Sequence, residues 1–126
     1  QIFTSIELEA RHEIMLEEYV KKVQIEARLM GYLASNTILP AAIKYQNLLI
    51  ENVKGLKEIG LKKESMRSQL EIIEKMSEHI NAVSDNVEKM IEGRKVANAV
   101  DDMHKRAIMY CNDIKPFFET IRYHVD

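Results

Sequence analysis

Residues 38–60 read ILPAAIKYQNLLIENVKGLKEIG, and the role given to Pro40 within them decides how many helices the chain has. A proline loses nothing at the first turn of a helix, where its missing amide hydrogen has no partner anyway, whereas in a helix interior it costs about 3 kcal/mol. Taken as a helix start, Pro40 opens a segment over about 40–59 and separates it from everything before it. Ala42, Leu49, Val53 and Leu56 then fall on one face, Ile43 and Ile50 widen the stripe, and Gly60 is placed to end the helix. Tyr45, Gln46, Asn47 and Asn52 are less expected. Surface helices favour Lys, Glu and Ala at such places, so this polar cluster is the candidate interface.

Upstream, Thr4 with Glu7 three residues on has the form of a capping box and opens a helix over about 5–35. Its inner face is Leu16, Val20, Val23, Ala27, Met30 and Ala34, and a second row of Met15, Tyr19, Leu29 and Leu33 broadens the apolar arc until it must touch more than one neighbour. Downstream, Met66, Leu70, Ile73, Ile80, Val83, Val87 and Met90 form a narrower coiled-coil seam over about 62–92, with Gly93 as the break. The fourth helix, about 94–124, carries Val96, Val100, Met103, Ala107, Tyr110, Ile114, Phe117, Ile121 and His124 in alternating steps of four and three. That phase holds on both sides of Pro116, which predicts a kink and not a loop. The third and fourth helices match in length around Gly93 and predict a long antiparallel hairpin. With the other two, they make an all-α, four-helix up-down bundle in one domain over 1–126. Beyond the shorter second helix, one end is left as a two- or three-helix stalk, a candidate docking surface.

Composition agrees and excludes. With 46% hydrophobic and 30% charged residues but only two prolines, four glycines and no tryptophan, the chain suits amphipathic helices with few turns. A net charge of −2 provides no field for nucleic acid or an anionic membrane, and the basic pairs Lys21-Lys22, Lys62-Lys63 and Lys105-Arg106 sit beside acids. The single Cys111 allows no internal disulfide and suits a reducing compartment such as the cytoplasm. No apolar run approaches the ~20 residues of a bilayer span.

Little in the sequence points to chemistry within these residues. Glu9 with His12, and Asp101 with His104, have the carboxylate-x-x-His spacing of di-iron bundles, but such a site needs further inward carboxylates from two other helices. Helix-dipole complementarity already accounts for an acid near a helix start, so no metal, cofactor or catalytic residue is assigned. His79 and His124 read as packing or rim residues without a partner nearby in sequence, and Cys111 as a small core or flank residue. The amides, Gln46 with Gln24, Asn36, Asn47 and Asn52 in the same two helices, have two readings. They form hydrogen bonds between helices that set register, or a rim that meets a neighbouring domain or subunit.

Three blocks, RHEIMLEEYVKKVQIEARLM at 11–30, the stretch at 38–60, and CNDIKPFFETIRYHVD at 111–126, occur in an order that resembles the C-terminal helical region of the type III glutamine synthetases, the large-subunit bacterial class. The resemblance covers essentially the whole chain, although 61–95 matches only in pattern. It implies an excised, non-catalytic C-terminal piece of an ATP-dependent glutamate–ammonia ligase, a role in packing between domains or subunits of a homo-oligomeric ring, and the rim reading of the amides. It also implies that ATP and Mg or Mn belong to a catalytic domain upstream, and that the partners are that domain and neighbouring subunits. The alternative is a stand-alone helical-bundle interaction or adaptor module.

Overall fold

Pro40 does not begin a helix. In the computed structural model, which describes residues 5–125, α1 (Ser5–Leu33) passes through a π turn (Ala34–Ile38) into α2 (Leu39–Glu58) without leaving right-handed helical geometry. The Leu39 amide reaches back five residues to the Ala34 carbonyl. A proline ring in a regular helix collides with the carbonyl four residues earlier, here that of Asn36. The wider π turn carries that carbonyl aside, and the helix runs on past the ring. Residues 5–58 therefore form one arm roughly 80 Å long at about 1.5 Å per residue. The expected capping box at Thr4 lies outside the described residues.

The arm ends at Gly60, as its sequence position predicts. Gly60 has φ of 92°, its amide donates to the Lys57 carbonyl, and the Leu61 amide reaches the Leu56 carbonyl. These are the two bonds of a Schellman cap, a geometry that favours glycine. A 3₁₀ turn (Lys63–Met66) leads into α3 (Arg67–Asn98).

The second correction concerns Gly93, which does not break α3 but lies within it. A methyl built there would lie 2.9 Å from Ile114 Cδ1, so the missing side chain admits a close neighbour and does not supply a turn. The chain reverses instead at 99–102. There the Asp102 carboxylate accepts the His104 amide at 3.2 Å and caps α4 (Met103–Met109), and the Arg106 guanidinium donates twice to the Val100 carbonyl at 2.9 and 2.6 Å. A second π turn (Tyr110–Ile114) joins α4 to α5 (Pro116–Val125), with the Lys115 amide bonded to the Tyr110 carbonyl at 2.9 Å. Pro116 is thus accommodated as Pro40 is, and the expected helical continuity across it holds.

The chain is all-helical among the described residues, but it forms three arms and not a four-helix up-down bundle. The arm 5–58 pairs antiparallel with α3. Gln46 meets Ser77 towards one end, and Gln24 meets Asn98 towards the other. The arm 103–125 returns along α3, so that Asn98 meets Tyr110 and His79 meets His124. Where all three arms overlap, Val20, Val23, Ala27 and Ala34 interlock with Val83, Val87, Met90 and Ala97, and with Ala107, Tyr110, Ile114 and Ile121. Met90, Ile114 and Ile121 are wholly buried, each contributing about 1.5–3 kcal/mol by area removed from water. Beyond this core α2 and the first half of α3 continue as a two-helix stalk, in which no residue of α2 is fully buried.

Candidate interaction surface

The amide cluster divides between the two readings. Gln46 is half-buried, and its amide donates to the Ile73 carbonyl at 2.9 Å and to Ser77 Oγ at 2.7 Å. It ties the two helices of the stalk in register, at a point where the stalk has little buried apolar surface to do so. Tyr45, Asn47 and Asn52 are exposed on the outside of the same helix. A second network realises the cross-helix reading at Gln24, with partners that the sequence did not name. Gln24 donates to Asn98 Oδ1 at 2.8 Å and to the Tyr110 hydroxyl at 3.0 Å, and that hydroxyl donates to Asn98 Oδ1 at 2.5 Å. It joins all three arms at the end of α3. Tyr110 had been legible only as an apolar seam position.

Exposed apolar side chains concentrate on the long arm. Of the broad arc expected there, Tyr19 is half-buried, whereas Met15, Leu29 and Leu33 face outward. Ile25, Leu29 and Tyr32, spaced to share one face, are 65%, 56% and 63% exposed. Leu29 and Leu33 form one wall of a 600 Å³ groove whose other wall is Phe118, Ile121 and Val125 of α5. On the stalk, Ala41, Tyr45, Leu48, Asn52, Gly55 and Ile59 follow each other by steps of four and three on the outer side of α2. Tyr45, Leu48 and Ile59 in that row are exposed, and a methyl on Gly55 would meet nothing within 4 Å. This is the spacing by which one helix receives another.

The titratable groups make no catalytic constellation. Glu9, His12, Asp101 and His104 do come to one groove of 620 Å³, with the His12 and His104 rings 6.1 Å apart. Among the described residues, however, no three His, Cys, Asp or Glu side chains are arranged to hold a metal ion. Among the described residues no charged side chain is buried. His79 and His124, unpartnered in sequence terms, are partners in space, with Nδ1 atoms 2.9 Å apart. Cys111 is exposed, a flank and not a core residue. Burial pushes the Tyr19 hydroxyl above its ordinary 10.0, and a hydrogen bond with Cys111 and the negative charges of Cys111 and Glu26 add to the shift. No helix among the described residues is long and apolar enough to cross a membrane.

Comparison with known proteins adds what geometry does not carry. Residues 1–57 match the family model described as the glutamine synthetase C-terminal domain, a match that ends one residue short of the end of the long arm. The chain is 40% identical, over its full length, to a glutamine synthetase of Bacteroides fragilis (strain YCH46), of which it spans 18%. It is 25% identical, over 96% of its length, to the Type-3 glutamine synthetase of Dictyostelium discoideum, of which it spans 17%. The chain therefore spans less than a fifth of each of these relatives. Along its length the chain is similar to these glutamine synthetases, and its first 57 residues match the model of the glutamine synthetase C-terminal domain.

Proposed function

We propose that these residues are the non-catalytic C-terminal helical domain of a type III glutamine synthetase, and that they pack the rest of that enzyme together. In this reading the whole protein makes glutamine from glutamate, ammonia and ATP in the cytoplasm, as a homo-oligomer. ATP and Mg or Mn are held by a catalytic domain outside this chain. The partners of the helices are that domain and neighbouring subunits.

The observation that carries the proposal is the outward apolar face of the long arm. Ile25, Leu29 and Tyr32 leave a continuous hydrophobic row in water on a domain whose core is already complete without them. The row lies within the stretch that matches the family model. On the stalk, Tyr45, Asn47 and Asn52 add polar contacts beside the exposed Leu48, an amphipathic mixture typical of contacts between domains.

The test replaces Leu29 and Tyr32 by Ser in the full-length protein. Neither side chain belongs to the buried core, so the helical domain itself should keep its fold. Light scattering should show a smaller assembly, and glutamine formation should fall with it. Unchanged assembly and activity, both in this double variant and after deletion of 1–126, would sink the packing role and favour the stand-alone adaptor.

A further inference from the structure

His79 and His124 lie 45 residues apart in sequence, on α3 and on the last turn of α5, and are placed there by the antiparallel pairing of those helices. Their Nδ1 atoms face each other at 2.9 Å, with the rings tilted 55° and their centroids 5.1 Å apart. Between two such nitrogens there is room for one shared proton, with one ring donating and the other accepting. The Tyr123 ring packs edge-on against His124 at 5.1 Å and restricts that imidazole. Both rings form part of the wall of an open groove of 430 Å³, otherwise mostly apolar, which also includes Ile38 and Met76.

We propose that His79 and His124 form a two-histidine binding site for a borderline divalent transition-metal ion of the zinc, nickel or copper class. An ion in tetrahedral coordination, about 2.0–2.1 Å from each imidazole nitrogen, places its two nitrogens roughly 3.4 Å apart. The pair needs to open by only about half an ångström from its present separation to admit the ion in place of the shared proton. The groove leaves space for water in the remaining positions. Imidazole nitrogen suits these metals, while Mg and Ca require oxygen donors that this pair does not provide. Met76, three residues before His79 on the same helix, offers a thioether on the same groove to the softer members of the class. The bound ion would fasten the end of the third arm to the middle of α3.

The groove between α1 and α4 is the built-in competitor, because it holds the other two histidines and five acids, Glu9, Glu13, Glu17, Asp101 and Asp102. The experiment therefore has to separate the two places. Zn²⁺ is titrated into the 126-residue chain carrying Cys111→Ser, which removes the exposed thiol as a ligand. Calorimetry gives the affinity, and the histidine ring resonances show which rings bind. The ring nitrogens of His79 and His124 should shift at one equivalent, with those of His12 and His104 unmoved. His79→Gln and His124→Gln should each weaken binding at least the roughly tenfold that loss of an outer-shell partner alone produces. Mg²⁺ should leave every resonance in place. Helicity by circular dichroism checks that both variants are folded, and glutamine is a good helix former at either position. Shifts at His12 and His104 instead, or an affinity that neither substitution changes, would overturn the proposal.

Discussion

Gly93 and Ile114 approach so closely that a methyl on the glycine would stand 2.9 Å from Ile114 Cδ1, a side chain with no exposed surface of its own. Gly93→Ala gains about 1 kcal/mol of helix propensity but must displace a fully packed neighbour, which costs about 1–3 kcal/mol. The net expectation is a loss of about 1 kcal/mol. Gly31 supplies the control, because a methyl there would meet Val87 and Met90 at 3.8 and 3.9 Å, ordinary contact distances. Gly31→Ala should stabilise by about 0.5–1 kcal/mol. Urea unfolding of the two variants should give opposite signs.

Gly60 tests the cap between the long arm and α3. Its φ of 92° is one that a β-carbon disfavours. Gly60→Ala should cost about 1–2 kcal/mol even though a methyl there would touch nothing. Gly55→Ala, equally open but within the helix, should stabilise instead. Thermal melts of the pair separate backbone strain from crowding.

The Tyr110 hydroxyl is the node of the network that joins three arms. Tyr110→Phe keeps the buried ring and removes the bond to Asn98 and the acceptor of Gln24. A cost of about 1–2 kcal/mol is expected, seen as a fall of several degrees in melting temperature. If the network acts as a unit, adding Gln24→Ala should cost less in the Phe background than alone. A double-mutant cycle measures this.

Tyr19 predicts a signature at alkaline pH. Because its hydroxyl is raised above 10.0 in the folded chain, the folded state holds that proton longer than the unfolded state does. The associated stability is complete below about pH 10 and is lost as pH rises through the raised value. In a spectrophotometric titration of phenolate, one tyrosine should ionise later than the exposed ones. Cys111→Ala should bring it back towards the ordinary range, by removing both the hydrogen bond and the thiolate charge, while the burial contribution remains.

Periodicity made much of this protein legible. The inner faces read from spacing, Val20 with Val23 and Ala27 on one helix, Val83 with Val87 and Met90 on another, and Ala107, Tyr110, Ile114 and Ile121 on the last, are the core. The stop at Gly60 was equally legible, because a Schellman cap has a local sequence cause. The breadth of the apolar arc on the first helix implied contact with more than one neighbour, yet Met15, Leu29 and Leu33 remain exposed. Gln46 could not be divided from Asn47 and Asn52, because the direction of an amide depends on a helix about thirty residues away.

What only the tertiary structure decided is where the helices are interrupted. Pro40 and Gly93 are ordinary breakers by local chemistry, and the sequence by itself determined no more than four apolar stripes with those residues between them. A π turn one step ahead of Pro40 lets the helix continue. At Gly93 the approach of Ile114 uses the absent side chain for packing, so the reversal moves to 99–102, where Asp102 and Arg106 satisfy the exposed backbone. At Gly93 the burial of a distant partner outweighs the local preference to stop, and that partner is not written in the neighbouring residues.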